Sequence, residues 1–188
     1  MAVKIFVDPG HGGTNPGAVG NGVIEADVNL AGATYLADDL RNMGYDVMMY
    51  RTTNDENVIS PIAADLRKRA QMANNWGADY FISIHTNSSV NPAANGFETY
   101  VYRLGSRAAQ LAQSIQDTVV AALGMKDNGV RQANFSVLRN TKMPAVLVEL
   151  GYLSNPTEAL NLNSPAWQRK IAAAIADGIN KFVKGQQA

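Results

Sequence analysis

The sequence predicts an α/β fold built on one mostly parallel sheet flanked by helices. Three observations carry that reading. Short β-branched runs alternate with stretches of helical period, glycine and proline mark the junctions, and polar clusters follow directly on the apolar runs. Val3 to Val7 is the first such run, ending in Asp-Pro-Gly-His-Gly-Gly, a buried strand feeding a glycine-rich loop. From Glu25 to Met43 the apolar positions Val28, Ala31, Leu36, Leu40 and Met43 recur at mostly helical spacing, and Gly44 supplies a stop. Asp46 to Tyr50 reads as a second strand, and Leu66, Ala70, Ala73 and Trp76 as one face of a helix closed by Gly77. Tyr80 to Ile84 is a third buried strand that ends at His85 and gives way to the turn-rich segment from Thr86 to Gly96. Phe97 to Tyr102 is rich in β-formers, Ser106 can cap a helix running to Leu123, and Ala145 to Leu150 is another apolar run. Asn155-Pro156 and Ser164-Pro165 each place an N-cap residue before a proline suited to the first helical turn; the last helix buries Ile171, Ile175, Ile179 and Phe182.

Length and composition narrow the function classes. The 188 residues, 46% of them hydrophobic, suffice for one substantial core, and no repeat or internal linker divides them. The compact domain is expected over residues 1–183, with 184–188 a polar tail that reads as the stub of a linker. Sixteen basic residues balance sixteen acidic ones without long runs of either sign, so nucleic acid and anionic membranes are not expected partners. With no cysteine, any metal must be held by His, Asp or Glu. No apolar run approaches the roughly 20 residues that span a bilayer, and no signal peptide is recognisable at the start of the chain. A monomer is the default expectation.

Only two histidines are present, and both are expected just past the carboxyl ends of strands, where α/β sheets gather functional groups: His11 in the glycine-rich loop and His85 in Ser-Ile-His-Thr-Asn. Glu25 is the nearest downstream carboxylate able to fold back over that edge. By itself Glu25 reads as a first-turn acid favoured by the helix dipole; the two histidines make the ligand reading competitive. Two imidazoles and one carboxylate leave a fourth tetrahedral position open, the pattern of a catalytic zinc site whose bound water has a pKa near about 7. Glu149, inside Val-Leu-Val-Glu-Leu, is the candidate general base, since a carboxylate in an apolar strand is costly without a partner or a task. Asp8 either orients His11 or merely ends its strand. The glycines at 10, 12, 13, 17, 20 and 22 read as turn formers, because no Gly-Lys-Ser/Thr follows to make a phosphate loop.

Four motifs in order resemble one family. Val-Asp-Pro-Gly-His-Gly-Gly, Gly-Val-Ile-Glu-Ala-Asp-Val-Asn-Leu, the run from Arg69 to Asn87 containing Ser-Ile-His-Thr-Asn, and Met-Pro-Ala-Val-Leu-Val-Glu-Leu-Gly-Tyr-Leu-Ser-Asn are similar to the motifs of the zinc-dependent N-acetylmuramoyl-L-alanine amidases of the amidase-3 type. The resemblance implies a six-stranded sheet, a Zn2+ ion held by His11, Glu25 and His85, and Glu149 as the catalytic glutamate. It implies peptidoglycan as substrate, cut between the lactyl group of N-acetylmuramic acid and L-alanine. Departures are mild: Tyr152 stands where Phe is common, and Thr86 replaces a small residue after the ligand histidine. Some exported members carry an inhibitory helix after the second histidine motif, whereas a short loop separates His85 from Gly96 here. Two rival readings are another zinc amide hydrolase, such as a peptidase or deacetylase, and an inactive wall-binding module; intact His11, Glu25, His85 and Glu149 speak against the module. The expected place of action is the bacterial cell wall, reached by phage-lysin-type release, mother-cell lysis or as an excised domain.

Overall fold

The computed structural model describes residues 2–56 and 58–186. Eight strands and six helices follow in the order β1 (Lys4–Pro9), β2 (Val19–Gly20), β3 (Val23–Ile24), α1 (Glu25–Asn42), β4 (Asp46–Met49), α2 (Ile62–Trp76), β5 (Tyr80–Asn87), β6 (Phe97–Val101), α3 (Arg107–Leu123), β7 (Asp127–Gln132), α4 (Ser136–Asn140), β8 (Ala145–Tyr152), α5 (Pro156–Leu162) and α6 (Pro165–Gly185). Six of the strands form one sheet in the order β4-β1-β5-β8-β6-β7. The first four are mutually parallel, β6 runs antiparallel to β8, and β7 is parallel to β6. The mostly parallel α/β sheet expected from the alternation is therefore present. Its reversed pair follows from the chain: no helix separates β5 from β6, so no crossover carries β6 back to the parallel direction.

The period of two within each strand sorts the core into two layers. Ile5, Val7, Ile82, Ile84, Val146 and Val148 face α1, α3 and α6, whose buried Leu36, Leu40, Leu111, Ile115, Ile171, Ile175 and Ile179 complete the larger cluster. Phe6, Phe81, Ala145 and Leu147 face the other way, onto Ala73 of α2 and Val137 and Leu138 of α4. Each fully buried Leu or Ile contributes about 1.5–3 kcal/mol by leaving water. Ser106 accepts from the Ala109 amide, Asn155 from those of Thr157 and Glu158, and Gly77 ends α2 in the left-handed region, all as expected. Ser164 occupies the N-cap of α6 without a side-chain bond to its amides.

Three boundaries differ from expectation. β5 continues through His85 to Asn87, and β8 through Glu149 to Tyr152, because pairing of His85 with Glu149 and Asn87 with Tyr152 prolongs the ladder. His85 thus stands on its strand rather than past its end, while Glu149 lies within its strand as expected. α6 takes in Lys184 and Gly185 of the expected polar tail and is capped by Gln186; Gln187 and Ala188 lie outside the described residues. β7, whose Asp-Asn-Gly-Val-Arg-Gln reads locally as turn, is held as an edge strand by β6 and by Gln116, which donates to Asp127 Oδ1 at 2.6 Å.

Candidate metal centre

β1 and β5 pair in register up to Pro9 and Ile84, so His85 is the next residue of β5 while His11 lies two residues past the end of β1. The rings meet edge to face with centroids 4.9 Å apart. Glu25, the first residue of α1, arrives through the β2-β3 hairpin and inserts one oxygen between them. Oε1 lies 3.2 Å from His11 Nε2 and 3.0 Å from His85 Nδ1. One donor atom from each of the three residues falls within 4.8 Å of the others, and no second such trio occurs among the described residues.

The surroundings fix Glu25 and His11. Glu25 Oε2 accepts from the Ala18 amide at 2.8 Å, and Oε1 from the Thr86 amide at 3.1 Å and Asn29 Nδ2 at 3.3 Å. The Thr86 hydroxyl donates to Asn29 Oδ1 at 2.9 Å, so this threonine locks the amide that positions Glu25. Burial opposes the charge on Glu25, yet the two imidazoles win and hold its pKa far below the carboxylate range. The same pairing raises His11 against the opposing pull of burial. His11 Nδ1 is 3.2 Å from Asn15 Oδ1, so Asn15 is the residue that orients this ring. Asp8 does not touch it. Its carboxylate pairs instead with Arg69 Nη1 at 2.8 Å and the Ser83 hydroxyl at 2.7 Å inside β1, so it answers to neither reading of Asp8 and serves the scaffold.

Two glycines of the loop do more than turn the chain. A Cβ on Gly10 would sit 2.3 Å from the His85 ring, and one on Gly17, at φ +70°, would sit 2.5 Å from Glu25 Oε2. Backbone packs directly against the ligands at both places. His11 itself is held at φ 60°, a conformation rare for a residue with a side chain. Two buried arginines keep it there. Arg51 donates to the carbonyls of Pro9, Gly10 and Ala26, and Arg69 to those of Pro9 and His11 while pairing with Asp8 and Asp65. Burial and the neighbouring Arg69 charge lower Arg51 to about 10, whereas Asp8 and Asp65 more than offset burial at Arg69 and raise it. Arg69→Ala should therefore lower stability by about 3–5 kcal/mol, read as a lower denaturant midpoint at unchanged slope, because Asp8 and Asp65 would stay buried and lose the guanidinium bonded to both.

Glu149 stands on β8 directly opposite His85, and Glu98 on β6 directly opposite Glu149. Among the described residues, Oε2 of each is a buried oxygen without a hydrogen-bond partner. Desolvation first, then the charges of Glu25 and Glu98, push Glu149 well above the usual carboxylate range. Glu98 Oε1 accepts from Tyr152 Oη at 3.0 Å and from Asn87 Nδ2; its Oε2 lies 3.1 Å from Arg131 Nε. That last contact is Coulombic, since the Arg131 Nε–H donates to the Asn128 carbonyl. The four residues singled out in the sequence are thus brought together, and the sequence reading missed Glu98, Arg51 and Arg69. A signal existed for Glu98, which interrupts Phe-Glu-Thr-Tyr-Val with a charge as Glu149 interrupts its own strand.

The donor set suits a metal ion, and two of its three spacings match tetrahedral geometry, with all three donors within 4.8 Å of one another. Bonds of about 2.0–2.1 Å put neighbouring ligand atoms roughly 3.3 Å apart, close to the 3.0 and 3.2 Å found around Glu25 Oε1. The profile of the N-acetylmuramoyl-L-alanine amidases matches residues 5–181. The chain belongs to that family. A sporulation-specific N-acetylmuramoyl-L-alanine amidase of Bacillus subtilis is 37% identical over 180 residues, 95% of this chain and 68% of the relative. The endolysin of Bacillus phage SPP1 is 35% identical over 189 residues, 97% of this chain and 67% of its own length. In three dimensions, this amidase-family chain superposes on an N-acetylmuramoyl-L-alanine amidase from Clostridium difficile 630 with a TM-score of 0.91 at 34% identity, covering 98% of both chains.

Proposed function

We propose that this amidase-family chain hydrolyses the amide between the lactyl group of N-acetylmuramic acid and the L-alanine of the stem peptide in peptidoglycan, with a zinc ion held by His11, Glu25 and His85. One observation carries the reading: three metal-donor side chains converge beside the unpartnered carboxylate oxygen of Glu149. Zinc bound there supplies Lewis acidity, polarising the scissile carbonyl and acidifying water. Glu149 takes a proton from the attacking water and returns it to the leaving amine, and burial, which raises its pKa, favours the proton-holding form needed for the second transfer. Asn15 and the Asn29–Thr86 pair hold His11 and Glu25 in place. The place of action is the bacterial cell wall, and the working unit is a monomer. No helix among the described residues is long and apolar enough to cross a membrane.

The test is the identity of the broken bond. Purified peptidoglycan treated with the zinc-loaded chain should release stem peptides with free L-alanine amino termini, detected by mass spectrometry, and chelator should stop the release. New termini at other positions would move the chemistry to a peptidase, and loss of acetyl groups to a deacetylase. Binding to the wall without any cleavage would reduce the chain to a wall-binding module.

A further inference from the structure

Four adjacent strands carry functional side chains on one face of the sheet: His85 on β5, Glu149 on β8 and Glu98 on β6 stand level with one another, and Arg131 on β7, level with Tyr100, reaches back to Glu98. The row lies on the face that α2 and α4 cover at Phe81, Ala145 and Leu147. Arg131 ends it on the edge strand, with its side chain half exposed. Its Nε–H is committed to Asn128, and one side of the guanidinium rests against Glu98. Among the described residues, Nη1 and Nη2 have no hydrogen-bond partner. Arg51 and Arg69 differ, since each bonds the fold through Nε, Nη1 and Nη2. Arg131 is thus the arginine of this edge that presents an open fork, the geometry that matches a carboxylate with two parallel N–H donors.

We propose that Arg131 is a specificity-determining residue that grips a carboxylate of the stem peptide on the amine side of the scissile bond, carried by the residue that follows the alanine. The proposal rests on the amide-hydrolase reading above, and it fixes the direction in which substrate crosses the sheet. Arg131 pairs with Tyr100, two residues along β6 from Glu98, so its backbone stands two strand spacings of about 4.8 Å across and two residues of about 3.3 Å along from Glu149, roughly 12 Å in all; its side chain reaches back to Glu98, which leaves about 10 Å or less between the functional groups. An extended peptide advances about 3.3–3.6 Å per residue. Alanine and the next residue, with a carboxylate branching from the latter, span that gap. The peptide then runs from β8 over β6 toward β7, and the sugar strand lies on the side of β1. Glu98 fixes the guanidinium at this reach, anchored in turn by Tyr152 and Asn87.

The experiment uses two synthetic N-acetylmuramoyl peptides that differ at the residue after alanine, one with a free carboxylate and one with a carboxamide. The zinc-loaded wild type should cleave the acid about ten- to a hundredfold more efficiently than the amide. The difference should lie in KM, because the contact is made equally in the ground and transition states. Arg131→Gln should bring the two efficiencies together by lowering that for the acid. Arg131→Lys keeps a positive charge against Glu98, so it guards against a folding defect; lacking the fork, it too should lose most of the preference. Affinity of both peptides for Glu149→Ala and for Glu149→Ala/Arg131→Gln, measured by calorimetry, gives the same comparison without turnover. An equal preference in wild type and both Arg131 variants, or none in wild type, overturns the assignment. If wild type cleaves neither peptide, the hydrolase reading fails, while the affinity ratio still decides whether Arg131 reads the carboxylate.

Discussion

Glu149→Gln should lower amide hydrolysis by roughly 10²–10⁴-fold with the metal still bound, and should at the same time make the metal-free protein more stable at neutral pH. The first effect follows from removing the group that accepts and returns the proton, with the metal ligands left in place. The second follows from its surroundings. Oε2 of Glu149 is buried without a partner, and the charges of Glu25 and Glu98 add to the desolvation. A carboxyl raised in this way binds its proton more tightly folded than unfolded. Its favourable contribution is therefore present below the unfolded pKa of about 4.3 and is lost as pH rises through the folded value. At neutral pH a glutamate here works against the fold. Melting curves of the metal-free pair across pH should show Glu149→Gln ahead at neutral pH and the gap closing in acid. A variant that melts lower at neutral pH would mean that the glutamate has a stabilising partner, and one that keeps full turnover would remove it from the chemistry.

His85→Ala should abolish stoichiometric zinc binding and with it activity, by about 10³-fold or more, since several kcal/mol of transition-state stabilisation are supplied through the ion. Metal content by mass spectrometry and turnover should fall together. Asn29→Ala is the graded counterpart. It removes the amide that holds Glu25 and pairs with Thr86, so zinc affinity should drop about 10–100-fold, with activity restored by excess metal. If His85→Ala binds zinc as tightly as wild type, the trio is not the metal site.

The elements with strong local signals were legible in the sequence. α1, α2 and α6 carry helical or mostly helical periods, α3 was marked by its Ser106 cap, and β1, β5 and β8 are apolar runs that a parallel sheet buries on both faces. The four candidate residues could be picked out of the sequence, Glu25 only with the two histidines in view, and the structure places them together. What escaped depends on partners distant in sequence. Arg69 stands four residues after Asp65, indistinguishable by spacing from a surface ion pair, and only Asp8 and the β1 loop make it a buried clamp. β7 has the composition of a turn and becomes a strand through β6. Glu98 acquires its meaning from a cross-strand neighbour 51 positions later. Gly10 looks like punctuation until the ring of His85 is seen against it.

The clamp of Arg51 and Arg69 on the carbonyls from Pro9 to His11 bears on how the centre fills and empties. In a zinc finger the ion itself organises the chain, so losing it unfolds the domain. Here the curvature of the loop, the left-handed backbone at His11 and the seat of Glu25 are all imposed by hydrogen bonds within the protein. Little conformational entropy is left for the ion to remove. On the zinc reading, demetallation should then yield an inert but folded apoprotein that regains activity when zinc returns, so that metal supply would switch activity reversibly without deciding whether the chain survives.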